Sequence, residues 1–440
     1  MSRLSDLARG VRTLGTVLRG RIPRQVVIQY TDACNASCAQ CSMRARMPMT
    51  RSKLDLEQTR RLLDALAEQG TVAVSFTGGE PFLHAEEIIS LIGYARLAGI
   101  PFTRTGTNGF PFQGSDRPGF TARINRLAES LARSGLRNFW ISLDSADPKT
   151  HEANRGLPGV VRGLEKALPI FHEHGIYPAA NLGLNRLAGG PVPLSGEDYR
   201  GAFSPMMFYH ASLNAFRRFY GFVEGLGFTM ANACYPMSHE PDQEASHAVY
   251  AATSSEEMIR FSTPEKAIMF QALSRVVGEF RSRLRIFTPQ SALLTLARQH
   301  CGQTQCGPAC RGGRDFFFVS ARGMSVHPCG YRGEENLGNF LEPGSFKESE
   351  DVGCRRCDWE CFRDPSILAG PILGLLQQPI NTVCGLVRDK TLARAWVGDL
   401  RYARACGHFD GRLAPDYIRL AAFSPQERLV QSAVPVQDQA

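Results

Sequence analysis

The chain has 440 residues, of which 43% are hydrophobic and 21% charged, with a formal net charge of +8. That composition suits a large folded core and excludes a disordered, highly charged chain. No apolar run is long enough to span a bilayer and no block of basic residues forms a nucleic-acid arm, so neither a membrane span nor a nucleic-acid partner is expected.

Residues 3–20 place Leu4, Leu7, Val11, Leu14 and Leu18 on one side of an amphipathic helix. Interruption of this stretch by arginines argues against a secretory signal. Such a basic helix either flanks the next domain or lies on an anionic membrane surface. From Gln25 a strand–helix rhythm begins. Expected strands are 25–31, 72–77, 102–107, 138–143, 177–184 and 228–234. Expected helices include 55–69, 85–98, 121–134, 159–174 and 213–226. Strands alternating with helices imply parallel βαβ units, and six of them suggest an α/β fold of the complete or partial barrel kind. Functional residues then belong at the C-terminal ends of the strands. The loop-rich stretches 187–212 and 237–262, carrying His210, His239 and His247, are expected to close the barrel mouth. A helical connector is expected over 263–300, a cysteine-rich domain over 301–364, and a partly helical tail over 365–440.

Thirteen cysteines are many for a chain in a reducing compartment, where they point to metal rather than to disulfides. Cys34, Cys38 and Cys41 follow the first expected strand directly. Three thiolates within eight residues can wrap one iron–sulfur cubane and leave its fourth iron open to a ligand. A zinc site with a distant fourth ligand is the alternative reading.

This spacing, at the end of the first strand, resembles the signature of the radical S-adenosylmethionine (SAM) superfamily, whose fold is a partial (β/α)6 TIM barrel. The resemblance implies that SAM chelates the open iron of a [4Fe–4S] cluster and that one electron cleaves it to methionine and a 5′-deoxyadenosyl radical. It extends along the later strands. Thr77-Gly78-Gly79-Glu80-Pro81 is similar to the family's segment for the SAM amino group, with the glycines expected to admit a ligand closely. Thr107-Asn108-Gly109 follows the third strand. Ser142 and Asp144 share one face of the fourth, where relatives contact the SAM ribose and carboxylate, and Arg155 lies beyond. Asn181 and Asn185 are candidate polar contacts from the fifth. Gln40 stands where relatives often carry an aromatic residue near the adenine.

The second cysteine set is Cys301, Cys306, Cys310, Cys329, Cys354, Cys357 and Cys361. With Phe316–Val319, Arg322-Gly323, Pro328-Cys329 and Leu337-Gly338-Asn339, it resembles the SPASM or shorter twitch extension, which implies at least one auxiliary [4Fe–4S] cluster. The last group is tighter than the usual SPASM spacing; a zinc ribbon from Cys354, Cys357 and Cys361 is the alternative. Gly330 and Tyr331 follow Pro328-Cys329 where sulfatase-modifying relatives carry an aspartate. Tyr331 is the candidate catalytic residue for proton transfer, and His327 a structural histidine. Cys234 reads as a core thiol. The resemblance implies oxidation, epimerisation or cross-linking of a small-molecule or peptide substrate in the cytoplasm, with flavodoxin or ferredoxin as electron donor. The alternatives are a transferase for a lipid-like substrate and a non-enzymatic zinc protein.

Overall fold

A computed structural model describes residues 14–41, 51–197, 201–235, 256–303, 307–350, 353–355, 357–407 and 409–425, together with the backbone of a two-stranded parallel ribbon, Met237–Ser238 with Thr253–Ser254. Cys306, His239, His247 and most of the expected first helix lie outside the described residues.

All six expected strands form. They are β1 (Gln25–Thr31), β2 (Ala73–Gly78), β3 (Phe102–Thr107), β4 (Asn138–Leu143), β5 (Ala179–Gly183) and β6 (Met230–Cys234), paired in sequence order and all parallel. The helices between them are α1 (Leu56–Glu68), α2 (Ala85–Leu97), α3 (Phe120–Ser134), α4 (Pro148–Arg155), α5 (Val160–Glu173) and α6 (Pro205–Gly225). Asp55, Asp147 and Ser204 cap α1, α4 and α6 by accepting a backbone N–H from the first turn. Ser204 and Pro205 start α6 eight residues before the expected 213, inside a stretch read as loop, because N-cap and N1-proline signals outweigh its polar composition.

The sheet runs past the six units at both edges. β7 (Arg285–Ile286) pairs parallel with β6, so the expected all-helical connector contains a strand between α7 (Thr263–Phe280) and α8 (Gln290–His300). On the other side β8 (Phe316–Val319) pairs parallel with β1, and β9 (Val326–His327) antiparallel with β8. The cysteine-rich region therefore shares the barrel's sheet. β9 and β7 are the two ends of an open sheet.

The tail is α9 (Glu360–Gln377), α10 (Pro379–Arg388), α11 (Lys390–Cys406) and α12 (Tyr417–Ala421). It is built into the fold. Asp399 of α11 accepts hydrogen bonds from Gln290 N (3.0 Å), Ser291 N (2.8 Å) and Ser291 Oγ (2.6 Å), capping α8, and pairs with Arg281. Tyr402 Oη accepts from Ile286 N at 2.8 Å and donates to Leu284 O, fixing β7. Leu14 and Leu18 of the expected first helix are exposed, while Val17 packs on the small core of Phe316, Phe318 and Phe362.

Alternation along the strands sorts side chains onto two faces. Val74, Phe76, Thr103, Thr105, Ile141, Leu182 and Ala231 are buried beneath the helices. Ser75, Arg104, Trp140, Ser142, Asn181, Asn232 and Cys234 face inward and line the barrel cavity. That concave face carries the chemistry.

Candidate active site

Cys34, Cys38 and Cys41 lie on the loop leaving β1 and line one cavity, with about 250 Å³ open to the centres of water molecules. Gly78, Gly79, Glu80, Asn108, Ser142, Arg155 and Asn181 line the same cavity. The cysteine loop is anchored from two sides. Ser37 N donates to Arg155 O at 2.9 Å, and Gly156, with φ +66°, caps α4 where a Cβ would meet Ser37 Oγ at 2.4 Å. On the other side Gly79 N donates to Thr31 O and Glu80 N to Ala33 O, each at 2.8 Å. A Cβ at Gly78 or Gly79 would fall 2.2 Å from the carbonyl oxygen of Thr31 or Ala33. The two glycines, expected to admit a ligand, admit the backbone that leads into Cys34.

Glu80 is 1% exposed. Its carboxylate accepts from Phe82 N at 2.9 Å and Asn108 N at 2.6 Å. Desolvation outweighs these bonds and pushes its pKa up to about 7. A buried carboxylate with this proton affinity is a strong acceptor for the N–H groups that an amine offers. Asn108 Nδ2 donates to Asn35 Oδ1 at 2.9 Å and lies 3.7 Å from Cys34 Sγ, so it orders the cysteine loop.

Asp144 does not present a free carboxylate. It takes two hydrogen bonds from Arg155 (2.8 and 2.7 Å) and one from Asn154 (3.0 Å). Burial opposes its ionisation, but the Arg155 guanidinium holds its carboxyl below the usual range. The pair fixes Arg155 at the cavity wall, and Asn185 donates to Asp144 O and Gly183 O instead of facing the cavity. Asn181 takes an amide hydrogen from Asn232 at 3.0 Å and donates to Cys234 Sγ at 3.1 Å. Cys234, expected as a core thiol, thus borders the cavity.

Burial pushes the Cys38 thiol up to about 12 and raises Cys34 as well. Thiolates this desolvated need cationic metal beside them. Three thiols on one short loop border a single cavity with a carboxylate and amides beside them. That donor set fits an iron–sulfur cluster with one iron left for a ligand.

The second set divides. Cys310, Cys329, Cys354 and Cys357 surround a small enclosed space, about 20 Å³ by the same measure, with Tyr331, Trp359 and Phe362. Cys310 and Cys354 form a β-bridge, with Cys310 N donating to Cys354 O at 3.0 Å. Burial pushes Cys329 up to about 12 and Cys357 well above its ordinary value. Tyr331 stands among these thiols and lines neither barrel cavity. His327 is held by Ser325 and Glu335 O, as a structural histidine. Cys301 is the exposed C-cap of α8. Cys361, in the first turn of α9, faces the barrel interior, where its Sγ donates to Glu360 Oε1 at 3.3 Å.

The radical SAM superfamily pattern matches residues 28–192, which include all three loop cysteines and extend through β5. The chain carries a radical SAM domain. It is an enzyme, and the superfamily that this domain defines uses a [4Fe–4S] cluster and SAM. The AdoMet-dependent heme synthase of Nitratidesulfovibrio vulgaris is 21% identical over 73% of this chain and 78% of its own length. The GTP 3′,8-cyclase of Shewanella denitrificans is 32% identical over 34% of this chain and 42% of its own, so the chain matches under half the length of that relative. Among solved structures, anSMEcpe with bound AdoMet and Kp18Cys peptide overlaps 78% of this chain and 88% of its own at 16% identity and a TM-score of 0.48. Streptococcus suis SuiB bound to S-adenosylmethionine overlaps 73% of this chain and 64% of its own at 16% and 0.45.

Sequence reasoning missed Trp140, Arg104, Tyr235 and Glu360, all of which line the barrel interior. Strand alternation alone places Trp140 on the face of Ser142, so that signal was present. Glu360 and Tyr235 gave none, because a helix from the tail brings the first to the second: Tyr235 N donates to Glu360 Oε2 at 3.3 Å. Among the described residues no helix is long and apolar enough to cross a membrane.

Proposed function

We propose that the chain binds SAM between the Cys34–Cys41 loop and the strand ends of β2–β5, and uses it to take a hydrogen atom from a small-molecule or peptide substrate in the barrel cavity. The observation that carries this is the shared cavity: three loop cysteines, Glu80, Asn108, Ser142, Arg155 and Asn181 line one space at the C-terminal ends of parallel strands. Cys34, Cys38 and Cys41 would hold the cluster, which supplies the electron that cleaves SAM when bound.

The chain's own residues do the rest. Glu80 accepts an N–H of the amino group, leaving that nitrogen's lone pair for the cluster iron, and so offsets the cost of its burial with a charge-assisted hydrogen bond. Arg155, fixed by Asp144, is placed for the carboxylate of the same molecule. Ser142 and Asn181 offer hydroxyl and amide groups from adjacent strands, paired in register. Trp140 takes up the role of an aromatic wall in the absence of one at position 40. Its indole lies over Gly106, where a Cβ would come within 2.0 Å of Cδ1.

Cys310, Cys329, Cys354 and Cys357 would hold one auxiliary cluster, and four thiolates leave it no open iron. Such a group transfers electrons, consistent with an oxidation, epimerisation or cross-linking outcome and with a small electron carrier such as flavodoxin or ferredoxin in the cytoplasm. Tyr331 then serves as a neighbour of that cluster, away from the substrate.

Anaerobic reconstitution followed by incubation with SAM and dithionite tests the reading. The expected product is 5′-deoxyadenosine, absent in Cys34→Ala. A protein that takes up iron yet leaves SAM intact contradicts it.

A further inference from the structure

Below the SAM cavity the barrel holds a second space, of about 330 Å³, which shares Trp140, Ser142, Arg155 and Asn181 with it. Arg104 projects into this space from the middle of β3. Its neighbours Thr103 and Thr105 point the other way, under the helices. Among the described residues, no hydrogen bond or ion pair holds its guanidinium. The buried arginines among the described residues all have one: Arg155 with Asp144, Arg281 with Asp399, Arg332 with Glu335, Arg363 with Cys357 O, and Arg285 with Thr229.

Among the described residues the group that faces Arg104 is the Cys361 thiol, which burial pushes well above its ordinary value and so keeps neutral, and the cavity's carboxylates are engaged elsewhere. Asp144 is taken up by Arg155. Glu360 is bonded to Tyr235 N and Cys361, and Asp364 to Tyr235 Oη at 3.1 Å. A half-buried guanidinium that lines a cavity without an anion is poised to take one, and its planar fork suits a carboxylate or phosphate bidentately. The volume beside it is large enough for a small molecule or the end of a peptide.

We infer that Arg104 is the anchor of the substrate pocket, binding an anionic group, carboxylate or phosphate, of the substrate. The anion docks deep on β3, and the rest of the substrate runs past Trp140 toward the SAM cavity. This rests on the proposed function, because it takes the upper cavity as the SAM site. Arg104 is a positioning residue: it fixes which hydrogen of the substrate faces SAM and does not itself react.

The test is anaerobic titration calorimetry of the cluster-loaded, SAM-saturated protein, with inorganic phosphate and succinate as separate probes. Wild type is expected to bind one anion per chain. Arg104→Gln should weaken this at least tenfold, and Arg104→Lys should recover part of it. Ser75→Asp, which places a carboxylate beside Arg104 on the adjacent strand at the paired position, should abolish binding with Arg104 still present. Tighter phosphate assigns a phosphorylated substrate, and tighter succinate a carboxylate. Equal binding by wild type, Arg104→Gln and Ser75→Asp, or no binding of either probe by wild type, overturns the inference. SAM cleavage by wild type, measured in parallel, reports separately on the proposed function.

Discussion

The two cysteine regions of this molecule use the same donor for opposite ends. The loop after β1 presents three thiols to a cavity with about 250 Å³ of open space, shared with a carboxylate, two asparagines and an arginine. The segments flanking the β8–β9 hairpin and the stretch just before α9 close four thiols around about 20 Å³, with aromatic neighbours. In the proposed reading, room and polarity, and not cysteine count, separate the site that would accept a cofactor from the one that would be coordinatively complete.

Four tests break or sharpen that comparison. The largest effect belongs to the open site. Cys34→Ala, Cys38→Ala or Cys41→Ala should remove SAM cleavage entirely, read as loss of 5′-deoxyadenosine by chromatography.

Next is the buttress of that site. Arg155→Met leaves the 2% exposed Asp144 side chain buried without its cationic partner, with only Asn154 still donating to it. Denaturant unfolding should show a loss of about 3–5 kcal/mol. A loss below about 1 kcal/mol would show that the pair does not organise the loop.

The closed site should respond in metal content rather than chemistry. Cys357→Ala should lower iron from ~8 to ~4 per chain, with substrate-free SAM cleavage persisting. Loss of cleavage with half the iron would show that the two sites are not independent.

A smaller effect concerns Glu80. Its pKa of about 7 means that lowering the pH protonates the group that accepts the amino N–H. SAM affinity should therefore fall by about tenfold between pH 8 and pH 6 in wild type. Glu80→Gln should bind about tenfold more weakly at pH 8 and show a flat profile. A pH-dependent Gln variant would assign the titration elsewhere.

Much of this was legible in the sequence. The β1 loop cysteines, Gly78-Gly79-Glu80 and Asn108 are local: each stands just after a strand whose apolar alternation marks it, and parallel strands bring their C-terminal ends together. The second set was only partly legible. Seven cysteines gave the region but not the grouping, because α9 begins at Glu360 and its first turn points Cys361 into the barrel. Long-range partners were not legible at all. Asp399 caps α8 from 108 residues away, and its only local context is an ordinary amphipathic helix. Arg104 hid in a strand with threonine at three positions of its outward face, so polarity did not mark which side faced in.

The most direct measurement of the central claim is electron–nuclear double resonance on the reduced, reconstituted protein with SAM labelled with ¹⁵N at its amino group. The account predicts a ¹⁵N coupling from a SAM nitrogen bound to iron, present in Cys357→Ala and absent in Cys34→Ala. A cluster held by Cys34, Cys38 and Cys41 that shows no such coupling, because a fourth protein side chain fills its coordination, would contradict it.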